Sequence, residues 1–352
     1  GQAALGAAAL AAAAFRLEIR RTPLLYGESP GHDGFLRCLS AGKLRFDWRI
    51  QGKGMDAERL SHAGALTHRE RTAFMKWNVV TDSSCDLIPS DYRSDVIELS
   101  SVPFAISVGV RGYTDDEQLD IEEMLRDMEQ EKTASYTSCP APGAWLEQFE
   151  KADRTFAITI SSQLFGSMNS ALTARDLALE ADPDKKIAVL DSRSTGPELV
   201  LCVREIERLA REGVGFDEAV NRANAFLDKT KVIFALSSFD NLIKNGRMHK
   251  MAGFLAKALG MWGIGSASDE GRIVVEGKTR GSKRTVRVLV DCMRERGFSG
   301  GNVAISHCGN HAVARALKES ILSAWADSRI EILPTRGLCS YYAERGGLIV
   351  GF

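Results

Sequence analysis

The sequence KWNVVTDSS at residues 76–84 joins a short β-branched run to a polar turn, and it is the first such combination in the chain. From there to residue 229, short β-branched runs such as Phe156–Ile160 alternate with longer amphipathic stretches such as Glu198–Glu212. This alternation is typical of βαβ units. The sequence therefore predicts an α/β fold whose first half contains a largely parallel sheet.

The pattern changes after Lys229. Arg272–Glu276 alternates apolar and polar side chains, as a half-exposed strand does, and the closing strand-like runs are short. Sheets of two different kinds indicate two domains. We therefore expect an N-terminal parallel-sheet α/β domain at residues 75–230 and a C-terminal α+β domain at residues 231–352.

Residues 1–74 differ from the rest of the chain. They contain no strand-like apolar run, and they carry eleven Lys or Arg against seven Asp or Glu. We expect this segment to be an N-terminal extension outside the core fold, with a domain of short helices as the alternative. Its alanine-rich stretch Ala3–Phe15 is too short to span a bilayer, so no integral membrane segment is expected.

Composition and missing motifs narrow the function classes. A formal net charge of −1 provides no overall positive field for a polyanion, so nucleic acid is not an expected partner. The seven cysteines form no CxxC pair, which indicates a reducing, cytoplasmic compartment. Phosphate-loop, dinucleotide, HExxH and GxSxG motifs are absent, and no His, Cys or carboxylate cluster has metal-ligand spacing. We expect no metal and no organic cofactor.

Three hydroxyl-rich motifs stand where a strand is expected to lead into a helix: Thr81–Ser84, Thr137–Pro140 and Ser161–Ser167. In open parallel sheets, ligands bind outside the carboxyl ends of the strands, where free N–H groups and helix dipoles favour an anion. Converging hydroxyls there would suit a carboxylate or a phosphate. Helix capping is the alternative role for each motif.

Basic and histidine residues supply further candidates. His307 follows the run Val303–Ser306 and could donate to a bound anion, although a structural role is equally compatible with the sequence. Arg247 follows a turn glycine, from which its guanidinium could reach across an interdomain cleft. The cluster Lys278–Arg284 could recognise an acidic partner or form a solvated face.

Six segments, taken in order, resemble the DegV family of bacterial fatty-acid-binding proteins, and the likeness covers residues 75–352. They are VVTDSSCDL at 79–87, TSCPAPG at 137–143, ISSQLFGSMNSA at 160–171, DSRSTG at 191–196, NGRM at 245–248 and ISH at 305–307. The resemblance implies a two-domain fold that encloses one long-chain fatty acid between its domains, and it implies a carrier rather than an enzyme. Characterised members present the acid to a separate ATP-dependent fatty acid kinase, which makes an acyl-phosphate for phospholipid synthesis.

The resemblance also implies where the ligand lies. Hydroxyls of Thr137, Ser138 and Ser162 would hold the carboxylate, with His307 nearby. The full predicted ligand-binding set is Thr137, Ser138, Ser161, Ser162, Phe165, Gly166, Arg247, Trp262 and His307. A basic surface near Arg280, Lys283 and Arg284 would contact the kinase. We hypothesise that Ser162 and Thr137 are the first donors to the carboxylate, because a buried anion without partners is very costly.

Some positions depart from the family pattern. Phe165 stands where serine is usual, Cys139 replaces glutamine, Trp262-Gly263 replaces Lys-Pro, and Tyr342–Gly346 replaces an HTGPG tract. Phe165 and Trp262 would either shorten the acyl space or fill the core.

Two other function classes remain open at this stage. A serine-dependent acyl hydrolase or phosphotransferase could use Ser162 with His307 as base, although no acid to orient that histidine is recognisable. A regulatory or interaction module would use Lys278–Arg284 as its working surface.

Overall fold

The computed structural model describes residues 76–131, 135–248 and 260–352. The expected extension at residues 1–74 lies outside these ranges. The strands are β1 (Trp77–Asp82), β2 (Ile97–Val102), β3 (Ala105–Val108), β4 (Arg111–Thr114), β5 (Ser135–Ser138), β6 (Arg154–Thr159), β7 (Lys186–Asp191), β8 (Val232–Leu236), β9 (Met261–Ala267), β10 (Ile273–Arg280), β11 (Asn302–His307), β12 (Arg329–Pro334) and β13 (Leu348–Gly351).

The helices, numbered in chain order over the described residues, alternate with these strands. They are α1 (Ile121–Gln130), α2 (Pro142–Phe149), α3 (Ser167–Ala181), α4 (Pro197–Arg211), α5 (Phe216–Lys229), α6 (Asp240–Lys244), α7 (Ser282–Glu295), α8 (His311–Ala324) and α9 (Gly337–Ala343). A short 3-10 helix covers Pro89–Asp91.

A four-stranded parallel sheet has the order β2-β1-β6-β7. Its central strand β1 is buried along its whole length, as its apolar run requires. Trp77 and Val79 pack against α4 and α5 on one face, and Val80 packs against α2 and α3 on the other. The predicted α/β class and the parallel sheet of the first half are thus confirmed.

A second, six-stranded sheet has the order β10-β9-β8-β13-β11-β12, antiparallel except for the β11–β12 pair. One face packs against α7 and α8 through Ile264, Ile305 and Val350. The opposite face packs through Phe234 and Ile349 against α9 and a three-stranded antiparallel sheet of order β4-β3-β5. All strands of the four-stranded sheet precede the boundary predicted at 230/231 in the sequence, and all strands of the six-stranded sheet follow it.

The structure gives the local placement of three sequence segments. Thr137 and Ser138 end strand β5, which pairs with β3 and leads into α2, as the motif predicts. Lys278–Arg280 end β10, and Lys283 and Arg284 lie in the first turn of α7. The glycine-rich final tract contains helix α9, and all seven residues of this helix are buried.

Two glycines of β9 leave room for aromatic rings. A Cβ on Gly263 would lie 2.0 Å from the ring of Phe239. A Cβ on Gly265 would lie 2.6 Å from the ring of Phe234 and 2.5 Å from the backbone oxygen of Val274. The contact with the Val274 oxygen involves backbone, so rotation of an aromatic ring cannot relieve it.

We predict that Gly265→Ala lowers the free energy of unfolding by about 1–3 kcal/mol, the usual cost of overpacking a filled interior. Gly277→Ala on the adjacent strand is the matched control, because a Cβ there meets no atom within 4 Å. Urea unfolding of both variants measures the difference. Equal stabilities would contradict this account of the β9 wall.

Candidate functional site

A cavity lies between the six-stranded sheet, helix α9 and the turns that follow β6 and β7. Its volume, as the space open to the centre of a water-sized sphere, is about 80 Å³. The surface inside it is almost entirely apolar, and its walls include Ile160, Val232, Phe234, Leu236, Leu338 and Ile349. An apolar space of this kind suits an apolar group and disfavours an isolated charge.

Strand β9 presents different residues on its two faces. Gly263 and Gly265 lie on the face of Phe239 and Phe234, and Ala267 lines the cavity. Trp262 belongs to the opposite face, where it packs against the cluster formed with α7 and α8. The structure therefore places Trp262 outside the cavity lining.

Phe165 lines the cavity and belongs to an aromatic group. Its ring meets Phe104 and Tyr342 edge to face, with centroids 5.5 and 5.6 Å apart. The guanidinium carbon of Arg247 lies 4.4 Å from the Phe165 centroid, which is a cation–π contact. Phe165 thus packs in the core, and its ring contacts the guanidinium of Arg247.

Polar groups converge beside this aromatic group. The hydroxyls of Thr137 and Tyr342 lie 2.8 Å apart, and Nη1 of Arg247 donates to the carbonyl oxygen of Leu164. Nε of Arg247 is buried and has no hydrogen-bond partner among the described residues. Burial raises the pKa of Tyr342, which keeps its hydroxyl protonated and able to donate. We call Thr137, Arg247 and Tyr342 the head-group cluster.

The serine turn after β6 is engaged with protein groups instead. Oγ of Ser162 donates to Asp191, and the Ser162 N–H donates to the same carboxylate over 3.1 Å. Oγ of Ser161 donates to the carbonyl oxygen of Gly271 over 2.7 Å. An anionic ligand at this turn would meet the charge of Asp191, so the geometry does not favour Ser162 as a first donor.

The remaining predicted site residues lie apart from the head-group cluster or contribute no polar side chain. Ser138 is exposed and lies on the face of β5 opposite to Thr137. Gly166 is the N-cap residue of α3. Nδ1 of His307 accepts the N–H of Asn310, and its ring lies 5.4 Å from that of His311. Burial, together with the charge of His311, lowers the pKa of His307.

The TDSS motif has a structural role. Buried Asp82 accepts hydrogen bonds from the Ser84 and Ser167 hydroxyls and from the Ile160 N–H. Burial raises its pKa, opposed by these hydrogen bonds. Asp82 thereby ties β1 to the turn between β6 and α3.

A buried carboxylate pair holds the beginning of α9, which carries Tyr342. Asp86 accepts the backbone N–H of Arg336 over 2.9 Å. Asp115 accepts the N–H groups of Gly337 and Leu338 over 2.8 and 2.7 Å. These carboxylates satisfy N–H groups that a helix start leaves without intrahelical partners. Sequence reasoning missed this pair because 221 or more residues separate the partners in the chain.

No group of three or more His, Cys, Asp or Glu residues in residues 76–131, 135–248 and 260–352 could hold a metal ion. Across the same ranges, no helix is long and apolar enough to cross a bilayer.

The described residues form an α/β protein of three sheets, with an apolar cavity beside a group of polar side chains. Comparisons agree with this class. A family model described as "Uncharacterised protein, DegV family COG1307" matches residues 76–352. A DegV domain-containing protein of Streptococcus pyogenes serotype M1 is 39% identical over 278 residues, covering 79% of this chain and 99% of the relative. The chain belongs to the DegV family.

Solved structures add detail about relatives. The fatty acid kinase (Fak) B3 protein of Streptococcus pneumoniae, loaded with linoleic acid, is 38% identical with a TM-score of 0.76, over 79% of this chain and 99% of that one. A DegV family protein of Eubacterium eligens, loaded with heptadecanoic acid, is 37% identical with a TM-score of 0.75, over 78% of this chain and 98% of that one. The two-domain DegV fold expected from the sequence is confirmed.

We predict that Asp86→Asn stabilises the protein more at pH 7.5 than at pH 5. Burial raises the pKa of Asp86 from 3.8 to about 6, so the folded chain binds this proton more tightly than the unfolded chain. The ionised form costs up to about 3 kcal/mol above pH 6, and the cost disappears as the pH falls toward 4. The gap in Tm between variant and wild type should therefore shrink at pH 5.

Glu147→Gln, on the exposed surface of α2, is the control for general charge effects. A Tm gap for Asp86→Asn that stays constant between the two pH values would show that Asp86 does not titrate in this range.

Proposed function

We propose that this protein binds one long-chain fatty acid, with the acyl chain in the cavity and the carboxylate at the head-group cluster. The observation that carries the proposal is the buried Nε of Arg247, which has no hydrogen-bond partner among the described residues. It lies beside Tyr342, whose hydroxyl contacts that of Thr137 and whose side chain also lines the apolar cavity. The relatives loaded with linoleic and heptadecanoic acid support it.

Burial of the acyl chain supplies the driving force. Each CH₂ group removed from water contributes about 0.8 kcal/mol, so a chain of about sixteen carbons gains enough to offset its ordering. The carboxylate must keep strong donors when it leaves water. A guanidinium N–H and two hydroxyls are donors of that kind, since hydrogen bonds to charged groups are stronger than neutral ones.

We propose a carrier rather than a hydrolase. Ser162 is hydrogen-bonded to Asp191, whereas His307 accepts from Asn310, so neither hydroxyl nor imidazole has the other as its partner. The charged group that influences the His307 pKa is His311 rather than a carboxylate. A nucleophile needs an adjacent, oriented base, which this arrangement does not supply.

We further propose that the loaded protein presents its fatty acid to a fatty acid kinase in the cytoplasm, where the kinase forms the acyl-phosphate. The name of the pneumococcal relative supports such a partner. Arg280, Lys283 and Arg284 are exposed, and none of them forms an ion pair with a described residue. Unpaired cations of this kind can steer an acidic partner surface. The described cysteines are free, which fits a reducing compartment.

We predict that Tyr342→Phe and Thr137→Val each weaken fatty acid binding about tenfold, because each removes a hydroxyl donor to a charged group. Arg247→Met should weaken it further. Protein purified without added lipid is extracted under denaturing conditions for mass spectrometry, and affinity for hexadecanoic acid is measured by displacement of a fluorescent fatty acid.

Ser162→Ala is the matched comparison and should change affinity less than twofold, because Asp191 already holds this hydroxyl. A large loss in Ser162→Ala with none in Tyr342→Phe would move the carboxylate to the serine turn. Turnover of an acyl ester that vanishes in Ser162→Ala would establish the hydrolase instead. Absence of fatty acid uptake by the wild type would refute the proposed function.

We predict that reversing Arg280, Lys283 and Arg284 to Glu leaves the bound fatty acid unchanged but lowers acyl-phosphate formation with a fatty acid kinase at least tenfold. Charge reversal removes the steering attraction and adds repulsion. The control reverses three exposed cations elsewhere, Lys229, Arg315 and Arg329. Equal rates for the two triple variants would exclude this surface as the kinase contact.

A further inference from the structure

Helix α9 connects the head-group cluster to a buried carboxylate pair at its opposite end. Its first three backbone N–H donors, from Arg336 to Leu338, are held by Asp86 and Asp115. One helical turn later, the hydroxyl of Tyr342 is hydrogen-bonded to that of Thr137. The position of that hydroxyl is therefore fixed by carboxylates that are not themselves part of the cluster.

Tyr341, the neighbour of Tyr342 on α9, links this helix to the segments that carry Thr137 and Arg247. The hydroxyl of Tyr341 donates to Oγ of Ser135 over 2.7 Å, and Ser135 lies two residues before Thr137 on β5. The Asn245 amide donates to the same hydroxyl over 3.0 Å, and Asn245 lies two residues before Arg247. A second amide, from Asn241, donates to the Tyr341 carbonyl oxygen over 2.9 Å. All three cluster residues are thus tied to α9.

The start of α9 is closely packed against Asp115 and its neighbours. A Cβ on Gly337 would lie 2.5 Å from Oδ1 of Asp115 and 2.4 Å from Cδ2 of Leu119. The side chain of Arg336 is buried, and its guanidinium donates to the Asp115 carbonyl oxygen over 3.0 Å and to Oγ of Ser101 over 3.1 Å. The helix start is therefore fixed from three sides.

We propose that Asp115 is a positioning residue for fatty acid recognition, which acts through α9 to align the three donors of the head-group cluster with the ligand carboxylate. This inference rests on the proposed function, because it assumes a carboxylate at that cluster. Its specific consequence is that loss of the Asp115 contacts weakens recognition of the head group and leaves recognition of the acyl chain intact. An asparagine there offers one acceptor oxygen where two N–H groups need partners.

The test compares hexadecanoic acid with hexadecan-1-ol, which have the same chain and differ in the head group. For Asp115→Asn at pH 8, we expect affinity for the acid to fall about tenfold and affinity for the alcohol to stay within twofold. A variant that only loosens the fold would weaken both ligands alike. The ratio of the two affinities is therefore the readout, and Tm is recorded beside it.

Glu198→Gln is the matched control. Glu198 is also a buried carboxyl, it accepts the Thr230 hydroxyl over 2.5 Å, and it lies outside the head-group cluster. This variant changes a buried carboxyl outside the cluster and should leave the acid-to-alcohol ratio unchanged, whichever way its Tm moves. If Asp115→Asn does not fold, Gly337→Ala displaces the same helix start, because a Cβ there meets Oδ1 of Asp115, and it should give the same change in ratio.

Each outcome of this comparison either supports the positioning role of Asp115 or overturns it. A selective loss of the acid in Asp115→Asn or Gly337→Ala supports the positioning role. An equal loss for both ligands, or the same ratio as in Glu198→Gln, overturns it while the proposed function stands. A wild type that binds neither ligand overturns both proposals, and a wild type that binds both equally well removes the head-group cluster on which this inference depends.

Discussion

The capping of helix α9 by Asp86 and Asp115 is the interaction on which the rest of the site depends. The helix is wholly buried between the six-stranded sheet and the β3–β5 sheet, so water cannot satisfy its first N–H groups. Two carboxylates do so, and the buried guanidinium of Arg336 offsets part of their charge. An unsatisfied helix start in this position would cost as much as several lost hydrogen bonds.

The head-group cluster lowers the stability of the folded state until a ligand binds. Nε of Arg247 is a buried donor of a charged group without a protein partner in the described part of the chain, and such a donor costs about 1–3 kcal/mol. The cation–π contact with Phe165 offsets part of this cost. Because a carboxylate would satisfy the donor only in the folded state, fatty acid binding should stabilise the fold by mass action.

Much of the fold follows from local sequence, and the site follows less directly. The β-branched runs at β1, β6 and β7 predict the parallel sheet. Strand β9 has two glycines in seven residues, and α9 contains glycine, cysteine, serine and tyrosine. Neither element has a pattern that predicts it from the sequence. The Ser162–Asp191 bond was accessible to sequence reasoning, because Ser162 follows β6 and Asp191 ends the adjacent β7. The Asp115 cap was not, since only the tertiary fold brings residues 115 and 337 together.

Electrostatics favour one direction for an anionic ligand in the cavity. At one end, a neighbouring polar cavity shares Arg193, Val232 and Ala267 with the apolar one. Its two cations are already paired, Arg193 with Asp228 and Lys231 with Asp269, and Glu198 adds a further carboxyl. At the other end, Arg247 has no salt bridge to any described residue. A carboxylate would meet competing acids at the first end and an unpaired guanidinium at the second, so the acyl tail should point toward Val232 and Ala267.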